Sequence, residues 1–303
     1  MPRAAAVLAV SAAVAATVAA AQQPVFRAET DLVSFGVTVT DRRGNFITDL
    51  AAEDFEIVEE GRGQTLTYFS RGDEAASAPV MHVGLLFDTS GSMVEDIQMA
   101  RTAAVRFLNT LRDAKDITLV DFDTEVRVGR YGQQDFPRLV ERIRGRKPEG
   151  FTAMYDALGL YLDGSERDDG RTILVVFTDG GDTRSTLRFS DAMTLIRASD
   201  VTIYTVGFLE NQRGGDRNQQ RLQLTQMATE SGGQAFFPLS LTQIDEAYDK
   251  ILAQIRAQYS LGYVSANPAQ DGHWRKVEIR VRRPDLKDLR VQTRKGYFAP
   301  YRP

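Results

Sequence analysis

The chain has 303 residues, of which 43% are hydrophobic and 26% charged, with a formal net charge of −4 and no cysteine. This is the profile of an ordinary globular chain with room for about two domains. It excludes disulfides and thiol catalysis, and the acidic balance makes nucleic acid a poor partner.

Residues 1–21 combine Arg3 with an alanine- and valine-rich run ending Ala19-Ala20-Ala21, the pattern of a cleavable secretory signal. The alternatives are an alanine-rich helix kept in the mature chain or an uncleaved anchor. No later apolar segment reaches the roughly 20 residues of a membrane-spanning helix. The expectation is therefore an exported chain, periplasmic or secreted, with no membrane span after cleavage. Losing the segment removes one arginine and no acid, leaving 36 basic against 41 acidic residues, a net charge of −5.

Residues 22–79 read as an N-terminal β segment. Val33, Phe35, Val37 and Val39 alternate with Ser34, Thr38 and Thr40, the period of a half-buried strand. A turn over Asp41–Asn45 leads towards a second strand around Phe55–Val58 and a third over Thr65–Ser70. Arg71–Pro79 is a linker by composition. It contains Arg71-Gly72-Asp73, an integrin-binding tripeptide by spelling, which at three residues reads as coincidence.

Residues 80–257 alternate strands and helices, which requires a parallel sheet with helices on both faces. The fold class expected is α/β, a doubly wound, mostly parallel six-stranded sheet, with a smaller all-β domain built from both chain ends. Val83–Phe87 has the bulk of a buried strand and stops at Asp88. Thr89-Ser90-Gly91-Ser92 then lead to Ile97, Ala100, Ala104, Leu108 and Leu111, spaced for a helix. A carboxylate and two hydroxyls thus gather at the carboxyl edge of the sheet, where open α/β folds place ligands. These hard oxygens suit a magnesium ion; equally, Asp and Ser are the residues that cap helices.

Further strands are expected at Ile117–Phe122, at Glu125–Val128 as an antiparallel edge, at Thr172–Thr178, at Val201–Val206 and at Ala235–Phe237. Helices are expected around Leu139–Ile143, over Met154–Leu162 and Ala192–Ala198, near Leu222–Met227, and along Ile244, Tyr248, Ile251, Leu252 and Ile255. The basic run Arg142–Lys147 reads as a solvated face, and Asn211–Gln219 as a polar loop able to shape a ligand face. If the strands ending at Asp88 and Asp179 are neighbours at the switch in strand order, the two carboxylates converge. Residues 258–303 read as a C-terminal β segment, with strands at Tyr259–Val264, Trp274–Val281 and Arg290–Thr293. Neither end has strands enough for its own core, so the two are expected to pair around the inserted central domain.

Three stretches now stand in order, each at a strand or helix end: Asp88-Thr89-Ser90-Gly91-Ser92, Gly150-Phe151-Thr152 and Thr178-Asp179-Gly180. Together they resemble the metal-ion-dependent adhesion site of the von Willebrand factor type A domain. The resemblance implies that Ser90, Ser92 and Thr152 offer hydroxyls to Mg2+, or to Mn2+ or Ca2+, while Asp88 and Asp179 hold the ion directly or through water. It further implies an open position completed by an Asp or Glu carboxylate of a protein ligand. Phe151 departs from the pattern, standing where many relatives carry glycine. With Val39–Gly44, Asp54–Gly61, Gln258–Tyr263 and Arg294–Phe298, the layout also resembles a bacterial group of exported proteins related to this domain.

Two other classes compete with this binding module, which is expected not to be an enzyme. Asp121-Phe122-Asp123 resembles the nucleophile loop of haloacid-dehalogenase phosphatases, with Asp168-Asp169 and Thr178 as conceivable further parts. Against a metal-dependent phosphatase, a strand and a helix precede the pair and no lysine stands in a matching context; Asp121 and Asp123 then read as solvated strand ends. Ser90 and Ser92 have no base, since the only histidines, His82 and His273, lie elsewhere. No phosphate-binding loop for a nucleotide is present. The third class is a purely structural envelope protein stabilised by its metal.

Overall fold

The computed structural model describes residues 32–72, 80–111, 114–165, 170–212 and 214–301. The expected signal segment, Asp73 with the rest of the linker, and Asp168-Asp169 lie outside the described residues.

Chain order runs β1 (Leu32–Thr40), β2 (Phe55–Glu59), β3 (Arg62–Gln64), β4 (Leu66–Arg71) and β5 (Met81–Asp88), then α1 (Ile97–Thr110), β6 (Ala114–Phe122), β7 (Val126–Gly132), α2 (Phe136–Gly145) and α3 (Met154–Ser165). It continues through β8 (Arg171–Thr178), α4 (Phe189–Ala198), β9 (Thr202–Gly207), α5 (Gly214–Glu230), β10 (Ala235–Phe236) and α6 (Leu241–Ala257). The chain closes with β11 (Tyr259–Val264), β12 (Trp274–Val281), β13 (Arg290–Gln292) and β14 (Gly296–Phe298).

The central sheet has six strands in the order β10-β9-β8-β5-β6-β7. All neighbours are parallel except β7, the antiparallel edge. The middle of β5, Val83–Phe87, and of β8, Ile173–Phe177, is apolar because both faces are covered. Val83, Leu85 and Phe87 pack towards Phe107 of α1 and Tyr248 of α6. Leu86, Leu174 and Val176 pack towards Leu158, Ile196 and Leu224 on the other side. β5 lies between β6 and β8, so strand order reverses at β5, and Phe87 stands level with Phe177. Asp88 therefore ends β5 level with Thr178, and Asp179 follows one residue later from the adjacent strand.

The chain ends meet in two four-stranded sheets, β13-β1-β11-β4 and β14-β12-β2-β3, each with strands from both ends. Their facing sides share one core that includes Phe35, Val37, Ile57, Tyr259, Tyr263 and Val277. The Tyr259 hydroxyl pins the loop before β2, donating to the Ile47 carbonyl at 2.8 Å and accepting from Leu50 N at 3.1 Å.

Three elements differ from expectation. The strand expected over Thr65–Ser70 is preceded by the short β3, and the chain changes sheets at Thr65, β3 pairing with β2 and β4 with β11. β14 adds a strand not expected from the pattern. Most of the expected polar loop Asn211–Gln219 belongs to α5: only Leu224, Met227 and Ala228 of that helix are buried, so its first turns carry no apolar period to read.

Candidate functional site

β5 delivers Asp88 into the interior, fully buried. Ser90 N donates to Asp88 Oδ1 at 2.9 Å, closing a local turn, and Thr178 Oγ1 donates to Oδ2 at 2.5 Å from the end of β8. A short 3-10 turn over Gly91–Val94 follows before α1 begins at Ile97. Ser90 precedes that turn without capping it through its side chain; its hydroxyl lies 3.1 Å from that of Ser92 instead. The hydroxyls thus face each other and the acids, which is not what a capping role requires.

The second loop is tied to the first. Gly91 N donates to the Gly150 carbonyl at 3.1 Å and Glu149 N to the Thr89 carbonyl at 2.9 Å. Gly150 has φ +73, and a Cβ there would stand 2.4 Å from Thr124 Oγ1, so only glycine fits. Phe151 N donates to that same Thr124 hydroxyl at 2.9 Å, and Ala153 N to the Asp123 carbonyl at 2.9 Å.

The third loop, after β8, clamps Thr152 from the other side. Thr152 N donates to Thr183 Oγ1 at 3.0 Å, and its carbonyl accepts from Thr183 N at 2.9 Å and Arg184 N at 3.0 Å. Asp182 accepts from Tyr155 N at 3.0 Å and from the Ser185 hydroxyl at 2.6 Å, satisfying the start of α3.

The structure brings together all five expected residues. Ser92, Thr152 and Asp179 line one cleft of about 570 Å³, and Asp88 and Ser90 lie buried beside them. Gln212 Nε2 donates to Asp179 Oδ2 at 2.9 Å, while Asp179 Oδ1 is buried with no partner among the described residues.

Two acids in so dry a place cannot both be charged without compensation. Burial and then the charge of Asp179 push Asp88 up to about 7, and burial also raises Asp179. The donors are two carboxylates and three hydroxyls; among the described residues no group of three acids, histidines or cysteines gathers. This set fits a hard divalent cation that keeps part of its water, and it lacks the nitrogen and sulfur that zinc selects.

The family model of the von Willebrand factor type A domain matches residues 82–250. The chain belongs to the von Willebrand factor type A domain family. A comparison with curated proteins finds no match. Among solved structures, this A-domain chain is similar to the von Willebrand domain of the type V pilus tip protein Mfa5 from Porphyromonas gingivalis, at 12% identity and TM-score 0.49, covering 64% of this chain and 99% of that one. It is similar to a von Willebrand factor type A protein from Catenulispora acidiphila, at 14% identity and TM-score 0.48, covering 80% and 73%. The pilus adhesin SpaC from Lactobacillus rhamnosus GG, in an open conformation, has 9% identity and TM-score 0.48, with 86% and 49% covered.

Elsewhere in the A domain, Asp121 and Asp123 are not the solvated strand ends expected. Asp121 is buried and paired with Arg142 at 2.5 Å and Arg146 at 3.0 Å, and Asp123 with Arg127 at 2.9 Å. Arg142 and Arg146 thus point inward, so the basic run is not simply a solvated face; long arginine stems reach a buried acid while keeping part of the head wet. Neither aspartate lines the cleft. His82 is buried against Asp116, 3.0 Å away, remote from Asp88.

Thr124, Thr183 and Gln212 act on the site without having been singled out from sequence. Each belongs to a loop whose partner lies many residues away, so no local spacing marks it; only Gln212 lay within a segment read as facing a ligand.

Proposed function

We propose that this A domain is a metal-dependent protein-binding module whose ligand offers an Asp or Glu carboxylate. Asp88, Ser90, Ser92, Thr152 and Asp179 would hold the ion, Mg2+ before Mn2+ or Ca2+. A bound divalent cation supplies a coordination position that an incoming carboxylate can fill. The observation that carries this reading is the buried, unpartnered Asp179 Oδ1 beside a second buried acid and the hydroxyls of Ser92 and Ser90.

The chain's own part is to hold these oxygens before the ligand arrives. Three loops tied by backbone hydrogen bonds fix Ser92 and Thr152 at the cleft, and the parallel pairing of β5 with β8 fixes the two acids. Preorganisation of this kind lowers the ordering cost of binding. Export is part of the proposal and rests on the composition of residues 1–21; among the described residues no helix is long and apolar enough to cross a membrane.

The test is capture of envelope proteins on the immobilised chain in Mg2+ and in EDTA, with Asp88→Asn and Thr152→Ala as controls. The proposal expects a retained protein that EDTA releases and that both variants fail to hold. Retention unchanged by EDTA and by both variants would exclude the mechanism.

A further inference from the structure

α1 and α2 bury Phe107, Leu108, Leu139 and Ile143 in one core cluster, and a groove of about 360 Å³ opens where the two helices meet. Gln98, Arg101, Thr102, Val105 and Arg106 of α1 line it together with Arg144 of α2. The α1 positions recur at three- and four-residue spacing, so they form one stripe, about 12 Å long at the helical rise. Three guanidiniums share this groove, and among the described residues that line it there is no acid.

The surrounding sequence has the same sign. Residues 97–147 hold 11 Lys and Arg against 7 Asp and Glu, a net charge of +4, whereas the rest of the chain holds 26 against 34, a net charge of −8. An acidic protein thus carries one basic lobe, which raises the local concentration of anions.

Internal contacts account for part of this charge. Arg106 Nη1 donates to both oxygens of Asp245 on α6, at 2.7 and 2.6 Å. Arg101 Nη2 donates to the Arg146 carbonyl, so the end of α2 has its cation. Two features are left over. Arg144 is exposed and makes no ion pair among the described residues, and the Arg101 Nε–H is buried with no partner among them. A buried donor without an acceptor is the exception in a folded chain.

A single carboxylate brings one charge to this cluster. A phosphate monoester brings close to two at neutral pH, with three acceptor oxygens that match the guanidinium fork. The stripe is longer than that group alone, and Gln98 and Thr102 add neutral donors and acceptors suited to hydroxyls. Val105 is the apolar residue of the lining, and no aromatic ring stands there to stack a nucleobase.

We propose that the groove between α1 and α2 is a second ligand site, separate from the cleft at Asp179, and that it takes a sugar bearing a phosphate or sulfate group. Arg101 and Arg144 clasp the oxyanion, Arg106 adds its charge, and Gln98 and Thr102 bond to the sugar hydroxyls.

The test is calorimetric titration of the full chain in EDTA, where no divalent ion can recruit an anion. The probes are glucose phosphate and glucose sulfate, each esterified at the primary hydroxyl, with glucose, inorganic phosphate and tetraglutamate beside them. The proposal expects saturable binding of at least one ester, the tighter one naming the source of the oxyanion, and no heat from glucose. Inorganic phosphate should bind about fivefold more weakly than the phosphate ester, the loss of roughly one neutral hydrogen bond. Arg144→Gln, at an exposed position, should keep the wild-type melting temperature and bind the ester roughly tenfold more weakly, as the loss of a charge-assisted hydrogen bond implies. The comparison of probes is made on wild type and does not depend on how the variant folds. Neither ester binding, inorganic phosphate or tetraglutamate binding as tightly as the esters, or an Arg144→Gln chain with undiminished affinity overturns the proposal.

Discussion

Thr178 Oγ1 donates to Asp88 Oδ2 at 2.5 Å, joining the last residue of β8 to the last residue of β5. The same oxygen accepts from Gly180 N at 2.9 Å, so one hydroxyl orients the first acid and shapes the turn that carries Asp179. The two carboxylates are held close by backbone pairing and by this bridge, and keeping both of them charged there is costly.

Asp88→Asn removes part of that cost while keeping the side chain's shape. The metal-free variant is expected to melt at or above the wild-type temperature, because an uncompensated buried charge is lost. Wild type should gain about 2.7 kcal/mol when Mg2+ is at a hundred times its dissociation constant, a shift of several degrees, and the variant none. Differential scanning calorimetry with and without Mg2+ reads both effects; a variant that keeps the shift contradicts the role of Asp88.

Thr183 and Thr124 position the Thr152 loop without lining up as ion donors themselves. Thr183→Val and Thr124→Val each lose one hydrogen bond worth about 1 kcal/mol. Each is expected to weaken Mg2+ binding about three- to tenfold while leaving the far-ultraviolet circular dichroism unchanged. Undiminished affinity in both would show that the loop does not need these clamps.

Arg142 is the closest partner of buried Asp121. Arg142→Met should destabilise the chain by about 2–4 kcal/mol in denaturant titration, since a buried acid loses its shortest partner and keeps Arg146 at 3.0 Å and Arg127 at 3.8 Å. The same pairing bears on the phosphatase alternative. Hydrolysis of a generic phosphate ester should not differ between wild type and Asp121→Asn; a rate that depends on Asp121 would reopen it.

Glu230, at the end of α5, accepts from Lys295 at 2.9 Å and pairs with Arg197 at 3.3 Å, joining the central domain to the segment before β14. Burial raises its carboxyl, but the bonds from Lys295 and Arg197 outweigh it and hold the group below its ordinary value. A carboxyl lowered on folding stabilises above the unfolded value and loses that contribution as pH falls through the folded one. Melting temperatures of wild type and Glu230→Gln should therefore differ at pH 7 and converge below about pH 4. A constant difference across that range contradicts the account.

What could be read from the sequence was what local pattern encodes. The apolar runs before Asp88 and Asp179 announce buried parallel strands, and their adjacency follows from topology. The start of α5 could not be read, because its first turns are solvated and hold Gly214 and Gly215. The inward turn of Arg142 and Arg146 was hidden for another reason: charge alone does not say whether a long side chain meets water or a buried acid. Gln212 and Thr183 escaped because they act on Asp179 and Thr152 across loops, where no spacing rule applies.

The most direct measurement is calorimetric titration of Mg2+ into the full chain, with wild type beside Asp179→Asn and the Ser92→Ala, Thr152→Ala double variant. The account predicts one saturable ion per wild-type chain and at least a tenfold loss in both variants. Wild type that takes up no ion, or variants that bind it as tightly, would contradict the central claim.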